Sequence, residues 1–380
     1  MANTITNVLP KILAQGLLAL RQQAIMPRLV NSSYSEEAAQ KGNVINIPIP
    51  SALSVRSITP GVTQATNVDF APTAALITLD YWKESVFQFS DNDAVSMMNG
   101  VASMQASEAI KALINDVDSY VAGKHTGLFT ALGTAGTAPF ATVGEAGAIR
   151  KLLNQTLAPM GDRRVLLDPV AEAAVLSLSN VLQFDQRGDA EGIVAGAIGR
   201  KFGMDWYMDQ NLSAISYTPG TAWVTGWAFD GSNAAGVSTA AVVFTSSGSV
   251  KIGDIFALTA GGLGYAVTAV ATAVTSVTMN ISFYPPLRVA VATGASLVIG
   301  AGATAYGVNL AFHRDCFAFA SRPLSGISGL GNELLQAADP ISGVALRAEL
   351  SRQYRQQTFA YDILCGANVV RPELGLKVKA

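Results

Sequence analysis

The sequence runs to 380 residues and 39.5 kDa, long enough for two or three packed units, since single cores stop growing at roughly 250–300 residues. Half of the residues are hydrophobic but only 14% are charged, against roughly 25% in an ordinary soluble domain, so lipid or neighbouring protein is expected to cover much of the outside. With 25 basic and 27 acidic residues the net charge is −2, and no basic stripe of the kind that grips phosphates appears; Arg371, Lys377 and Lys379 read as a solvated tail.

The chain opens Met1-Ala-Asn-Thr-Ile-Thr-Asn without a basic stretch, and Lys11 interrupts the apolar run that follows. No secretory leader is expected, and the protein is expected to stay in the cytoplasm where it is made. From Ile5 to about Ile25, the apolar positions Ile5, Val8, Leu9, Ile12, Leu13, Leu17, Leu20 and Ala24 predict a helix with one apolar stripe. Thr6 or Asn7 can cap it, Pro10 is tolerable near its first turn, and Met26-Pro27 stops it. Such a helix docks on its own domain or reaches a neighbour as an arm.

The stretch Gly42-Asn-Val-Ile-Asn-Ile-Pro-Ile-Pro-Ser51 is β-rich, but Pro48 and Pro50 cannot donate to a central ladder, so it reads as an edge strand or a protruding hairpin. Ser51 to Pro72, poor in large apolar residues, reads as an extended, exposed loop. Leu76 to Phe89 predicts a long strand or a strand pair, and Ser90-Asp-Asn-Asp93 a helix start. The strongest helical signal follows in Val95, Met98, Ala102, Ala106, Ala109, Ile110, Leu113, Ile114, Val117, Tyr120 and Val121, ended by Gly123. About 30 residues at ~1.5 Å each make a rod on the order of 45 Å, whose apolar face must lie along a sheet or another long element.

After a Gly/Thr/Ala loop, residues 143–156 read as a helix and residues 164–168 as a short buried strand. Pro169 starts a further helix with Ala171, Ala174, Val175 and Leu178 on one face, and Gly199 to Met208 reads as a turn into a strand. Between Pro219 and Gly307 the texture changes to short alternating runs of Thr, Val, Ala and Gly, which predict a separate, inserted all-β unit. No charged residue occurs between Asp254 and Arg288, yet Gly, Thr, Ser and Pro285-Pro286 dilute that stretch too far for a membrane helix. Residues 308–320 alternate as a strand, residues 340–355 suit a helix, and residues 359–364 form a strand that ends at Gly366.

Chemistry-bearing motifs are not found. There is no phosphate loop, HExxH or GxSxG elbow. Gly300-Ala-Gly-Ala-Thr-Ala305 loosely matches a dinucleotide turn, but Tyr306 to Phe312 after it reads as a strand where that motif needs a helix. Asp91 and Asp93 cap a helix; Asp116 and Asp118, two apart, do not share a helix face. In His313-Arg314-Asp315 strand alternation would put His313 and Asp315 on one side, but no nucleophile is placed with them, so a turn or an inter-subunit salt bridge is the expected role. His125 and His313 cannot assemble a His-rich metal site. Cys316 and Cys365 read as buried reduced thiols, with a disulfide between them as the alternative. Catalytic, cofactor-binding and metal sites are therefore all expected to be none, and no enzyme is expected.

Several stretches in order along the chain resemble the major capsid proteins of tailed bacteriophages, the Hong Kong 97-type fold, and within it the Salmonella podovirus coat-protein group. Thr6-Asn-Val-Leu-Pro-Lys-Ile-Leu-Ala14 with Met26-Pro-Arg-Leu-Val30 resembles that family's amino-terminal arm. Gly42 to Pro50, followed by Leu79-Asp-Tyr-Trp-Lys83, is similar to the strands flanking its extended loop. Gly199-Arg-Lys-Phe-Gly-Met-Asp205 resembles its Gly-Arg-x-x-Gly-Phe-Asp turn, with Met204 in place of the aromatic. Asn309-Leu-Ala-Phe-His-Arg-Asp315 with Arg322-Pro-Leu324 resembles the strand that closes the core, and Asp362-Ile-Leu-Cys-Gly366 with Pro372-Glu-Leu374 the end of the chain.

The resemblance implies an α+β fold with an N-terminal arm (1–43), an extended loop and flanking strands (44–82), and a peripheral domain with a long spine helix (83–140). It further implies an axial domain (141–217), an inserted β-domain (218–307), and a segment (308–380) that supplies the return strand of the peripheral domain and the remainder of the axial domain. The implied role is self-assembly as pentamers and hexamers into an icosahedral virion head, in the cytoplasm of a host bacterium. Its implied partners are a scaffolding protein in trans, a portal protein, and double-stranded DNA contained without sequence-specific binding; no membrane is implied. The alternatives are an encapsulin-like nanocompartment shell, against which the inserted unit counts, a surface-layer or membrane β-protein, and an unrecognised enzyme.

Overall fold

The computed structural model describes residues 24–34, 44–50, 72–92, 101–182, 198–221, 227–244, 247–259, 262–275, 277–299, 304–324 and 332–380, with single positions at 13, 14, 16, 17, 20, 55, 57, 60 and 196. The predicted first helix, the 51–72 loop, the start of the long helix and the Gly300–Gly302 turn lie wholly or largely outside the described residues. Positions 13, 14, 16, 17 and 20 are helical, and Leu13 and Leu20 are buried. Pro27 stands in the first turn of a new short helix, α1 (Met26–Leu29), where a missing N–H is no loss.

β1 (Val44–Ile49) and β2 (Thr73–Thr78) pair antiparallel, Pro48 opposite Ala74, and among the described residues with no other strand, so of the two readings, edge strand or hairpin, the proline-bearing strand takes the second. The Leu76–Phe89 run is a strand pair, because β3 (Tyr81–Ser90) leaves the hairpin for a different sheet. The long helix, α2 (Val101–Gly123), covers 23 residues, about 35 Å at ~1.5 Å per residue. Its predicted stripe is buried, from Ala106 through Ile110, Leu113, Ile114 and Val117 to Val121.

A short β4 (Ala131–Leu132) leads to α3 (Val143–Gln155), β5 (Arg163–Leu167) and α4 (Pro169–Leu176). Asp168 starts α4 by accepting the Ala171 N–H at 2.8 Å, with proline at the next position. Then come the single turn α5 (Ser179–Leu182), β6 (Arg200–Lys201), β7 (Met204–Met208) and β8 (Ser216–Tyr217).

The β-rich stretch holds β9 (Ala228–Phe229), β10 (Thr239–Val243), β11 (Gly248–Val250), β12 (Ile255–Ala257), β13 (Gly264–Val267), β14 (Ala271–Ala273), β15 (Thr278–Tyr284) and β16 (Val298–Ile299). Six of these form one sheet, ordered β16-β12-β13-β15-β10-β9, and β11 pairs with β14. They enclose a hydrophobic core of their own around Trp227, Phe229, Phe244, Phe256, Tyr265 and Phe283.

The remaining strands are β17 (Tyr306–His313), β18 (Phe317–Ser321), β19 (Asn332–Ala338), β20 (Ala345–Gln353), β21 (Gln356–Val369) and β22 (Gly375–Lys379). A seven-stranded central sheet runs β4-β22-β17-β5-β7-β6 with β8 added on β17. A five-stranded sheet runs β18-β21-β20-β19, with β3 beside β21. Tyr81, Phe87 and Phe359 on one face of that second sheet join the same core as the apolar stripe of α2.

Four expectations are corrected. Residues 308–320 are two strands split by a 3-10 turn at Arg314–Cys316, and β17 and β18 are buried on both faces, so no alternation survives. Residues 345–353 form strand β20 instead of a helix. Good helix formers there are overruled by pairing with β19 and β21, which buries Leu346, Ala348 and Leu350 at a spacing of two. β21 does not end at Gly366 but passes through it, because β18 pairs with it from Cys365 to Val369, and the hairpin lies against the glycine. A Cβ there would meet the Thr78 carbonyl oxygen at 2.2 Å. Lastly, Lys377 and Lys379 are no solvated tail: β22 sits between β4 and β17, and Lys377 is 0% exposed.

Candidate functional site

Of the polar residues singled out from the sequence, Asp116, Asp118 and Asp315 fasten chain segments together. Asp118, with Ile114, Val117 and Val121 around it on the buried face of α2, is itself 0% exposed. Its carboxylate accepts the backbone N–H of Met26 at 3.2 Å and of Ile25 at 3.3 Å. Burial, reinforced by nearby Asp209, pushes its pKa up to about 8. Asp116, on the other side of the helix, accepts the Tyr81 hydroxyl at 2.8 Å, and Tyr81 stacks on Tyr120 with centroids 3.8 Å apart. The two acids do face different neighbours.

Residues 24–31 are held at three further points. The Arg164 guanidinium donates to the carbonyl oxygens of Leu29 and of Arg28. Asn31 donates its N–H to Phe317 at 3.1 Å and accepts that of Phe319 at 2.9 Å, adding itself to the edge of β18. Its side-chain amide donates to Asp315 at 2.9 Å. The His313-Arg314-Asp315 triplet is thus a turn, as expected. The His313 ring nitrogen Nδ1 accepts the Asp315 N–H at 3.3 Å, and burial lowers the His313 pKa. His125, far from it, is also buried and pushed down to about 3, so it stays neutral.

The hairpin rests on β18 and β21 through Ile45, Ile47, Ile77, Leu79, Ala318, Ala320 and Leu364. Asn368 donates to the Leu76 carbonyl at 2.8 Å. On the face of the five-stranded sheet turned away from α2, Asp362 binds Arg347 (Nε to Oδ1, 2.8 Å) and the indole N–H of Trp82 (3.0 Å). Trp82 remains 59% exposed, Val86 further along β3 is exposed too, and Leu76 and Val44 are exposed on the hairpin. Cys316 and Cys365 are both free and buried, and burial raises the Cys365 pKa to about 12 and that of Cys316 as well, so both are protonated and inert.

Among the described residues no group of three or more His, Cys, Asp or Glu is arranged to hold a metal ion. No described helix is long and apolar enough to cross a membrane. Nothing in the sequence marks Asn31, Arg164, Arg347 or Asp362 as fasteners. Only Asp118 left a signal, an acid four residues after Ile114 and hence within the apolar stripe. The others pair across more than a hundred residues or across strands whose register the sequence does not print.

No protein-family model matches the sequence, and no curated protein matches it either. Solved structures do. A chain from Mycobacterium phage Che8 is similar at 17% identity with a TM-score of 0.55, over 94% of this chain and 91% of that one. A chain in the capsid structure of the cyanophage P-SCSP1u is similar at 14% identity and a TM-score of 0.52, over 94% of this chain and 88% of that one. A chain from Gordonia phage Cozz is similar at 12% identity and a TM-score of 0.50, over 94% and 86%. At these identities the likeness speaks for the fold: nearly end to end, this chain has the α+β architecture of a phage capsid chain, as the resemblance implied.

Proposed function

We propose that the chain is the major capsid protein of a tailed bacteriophage, self-assembling as pentamers and hexamers into an icosahedral head around double-stranded DNA. The observation that carries this reading is the likeness to the cyanophage capsid chain over 94% of the present chain, which leaves little of it for another task. Three features support it. Among the described residues the β1–β2 hairpin joins no larger sheet, and it exposes Val44 and Leu76. Residues 24–31 are fastened firmly, which gives whatever precedes them a fixed root. Only 14% of residues are charged, as suits a subunit covered on several sides by its neighbours, a stable interface burying about 1,600 Å².

In this reading residues 1–43 are the arm, 44–82 the extended loop with its strands, and 83–140 the peripheral domain, stiffened by α2 as a spine. Residues 141–217 with 308–380 supply the axial domain and the peripheral return strand, and 218–307 are an insertion. Within that family, the motifs of the chain resemble the coat-protein group of Salmonella podoviruses. Partners are further copies of the chain, a scaffolding protein in trans, a portal protein, and DNA held by containment, in keeping with a net charge of −2 and no basic stripe in the sequence. The protein then resides in the virion after assembly in a bacterial cytoplasm, and it catalyses nothing.

The test is the size of the purified protein by light scattering and negative-stain microscopy, alone and with a scaffolding protein. Hollow particles or sheets of hexameric units tens of nanometres across are expected, by analogy with shells closed under symmetry. A chain that stays monomeric even with a scaffold overturns the proposal.

A further inference from the structure

The core around Trp227 and the central sheet meet at a buried polar junction. Lys377, on β22, donates from Nζ to the carbonyl oxygen of Gly253 at 3.0 Å, in the turn between β11 and β12. The same nitrogen lies 5.1 Å over the ring of Tyr217 on β8, a strand of the central sheet. The Tyr217 hydroxyl is 2.9 Å from both Asp254 Oδ1 and the Ile252 carbonyl oxygen. Asp254, itself buried, also accepts the backbone N–H of Lys251 at 2.8 Å and of Gly220 at 3.2 Å. One carboxylate thus gathers the turn, the strand leaving the central sheet, and the segment that enters the β-rich unit.

The backbone around this junction is fitted just as closely. Gly253 has φ +91°, and a Cβ there would approach Thr126 to 3.0 Å, so the turn lies directly on the 3-10 segment Lys124–Gly127. A Cβ at Gly220 would sit 2.1 Å from the Ser249 carbonyl oxygen. The His125 ring meets Tyr217 edge-on with centroids 5.8 Å apart, and Tyr306 lies 5.6 Å from Tyr217. Enclosing a lysine completely is costly unless its donors and its charge are matched, so a mere filler at this position would be apolar.

We propose that Lys377, Tyr217 and Asp254 form a latch that fixes the β-rich unit in one orientation on the central sheet and makes the two cores unfold together. The latch acts within one chain and holds whatever that chain assembles into. Its polar groups add to the apolar contacts between the units, where Leu263 packs on the main core and the Phe129 and Tyr284 ring centroids are 5.9 Å apart.

The test uses the full chain carrying Lys377→Met, which keeps the length of the side chain and removes its donors. The wild type should melt in a single calorimetric transition. The variant should melt in two, with backbone exchange at Gly220, Lys251 and Asp254 faster by about tenfold or more and exchange within β15 unchanged. If Lys377→Met does not fold, Tyr217→Phe, which removes only the hydroxyl, should still speed exchange at Gly220 and Asp254. A single transition with unchanged junction exchange in whichever variant folds overturns the latch.

Discussion

The carboxylate of Asp118, in the C-terminal third of α2, accepts the backbone N–H of Met26 at 3.2 Å, tying the start of α1 to the longest described helix. Neither residue is exposed. The bond fixes where the N-terminal stretch enters the body of the protein, and its loss is therefore measurable as stability.

Replacing Asp118 with alanine strands the amides of Ile25 and Met26, each of which costs about 1–3 kcal/mol when buried without a partner. A loss of about 2–5 kcal/mol is expected in chemical denaturation. A loss below about 0.5 kcal/mol would show that the amides find other partners.

The same residue imposes a pH dependence. Its folded pKa of about 8 lies above the ordinary value of 3.8, so between these values the folded state holds a proton that the unfolded state has released. The contribution of Asp118 to stability is full below pH ~4 and is lost as the pH rises through about 8. Subtracting the profile of Asp118→Asn from that of the wild type should leave this falling slope; a flat difference contradicts it.

Ile110 and Leu113 lie in the middle of α2 with their side chains in the main core. Proline at either position removes a helical hydrogen bond and clashes with the preceding turn, at about 3 kcal/mol or more, before any cavity is counted. Soluble expression should be lost for both variants, and normal solubility would contradict the central place given to this helix.

Gly366→Ala sets a methyl group against the Thr78 carbonyl oxygen, which belongs to backbone and cannot swing away. The β1–β2 hairpin should detach before the rest unfolds, at an overpacking cost of about 1–3 kcal/mol. Backbone exchange within β1 and β2 should speed up in the variant while overall melting shifts by a few degrees; unchanged exchange would mean that the hairpin is not seated on β21.

Cys316 and Cys365 should resist an aromatic disulfide reagent in the native protein and react fully after denaturation, since both thiols are buried and protonated. Rapid labelling of either thiol in the folded chain would contradict that burial.

Much of the architecture is written locally. The stripe of α2, the proline-marked hairpin, the Asp168-Pro169 start of α4 and the change of texture after Pro219 depend on near neighbours, and the sequence carries them directly. An absence of motifs likewise left no catalytic constellation to look for. What the sequence could not carry is the partner of each strand. Residues 345–353 have helix formers enough, yet lie between two strands that bury every second side chain. Lys377 has the look of a charged tail residue and is enclosed because β22 inserts between β4 and β17, with its acceptor 124 positions away. Helical periodicity is set by contacts three and four residues apart, so it is visible in the sequence alone. Burial of a polar group is set by what packs against it from distant parts of the chain, so only the tertiary structure decides it.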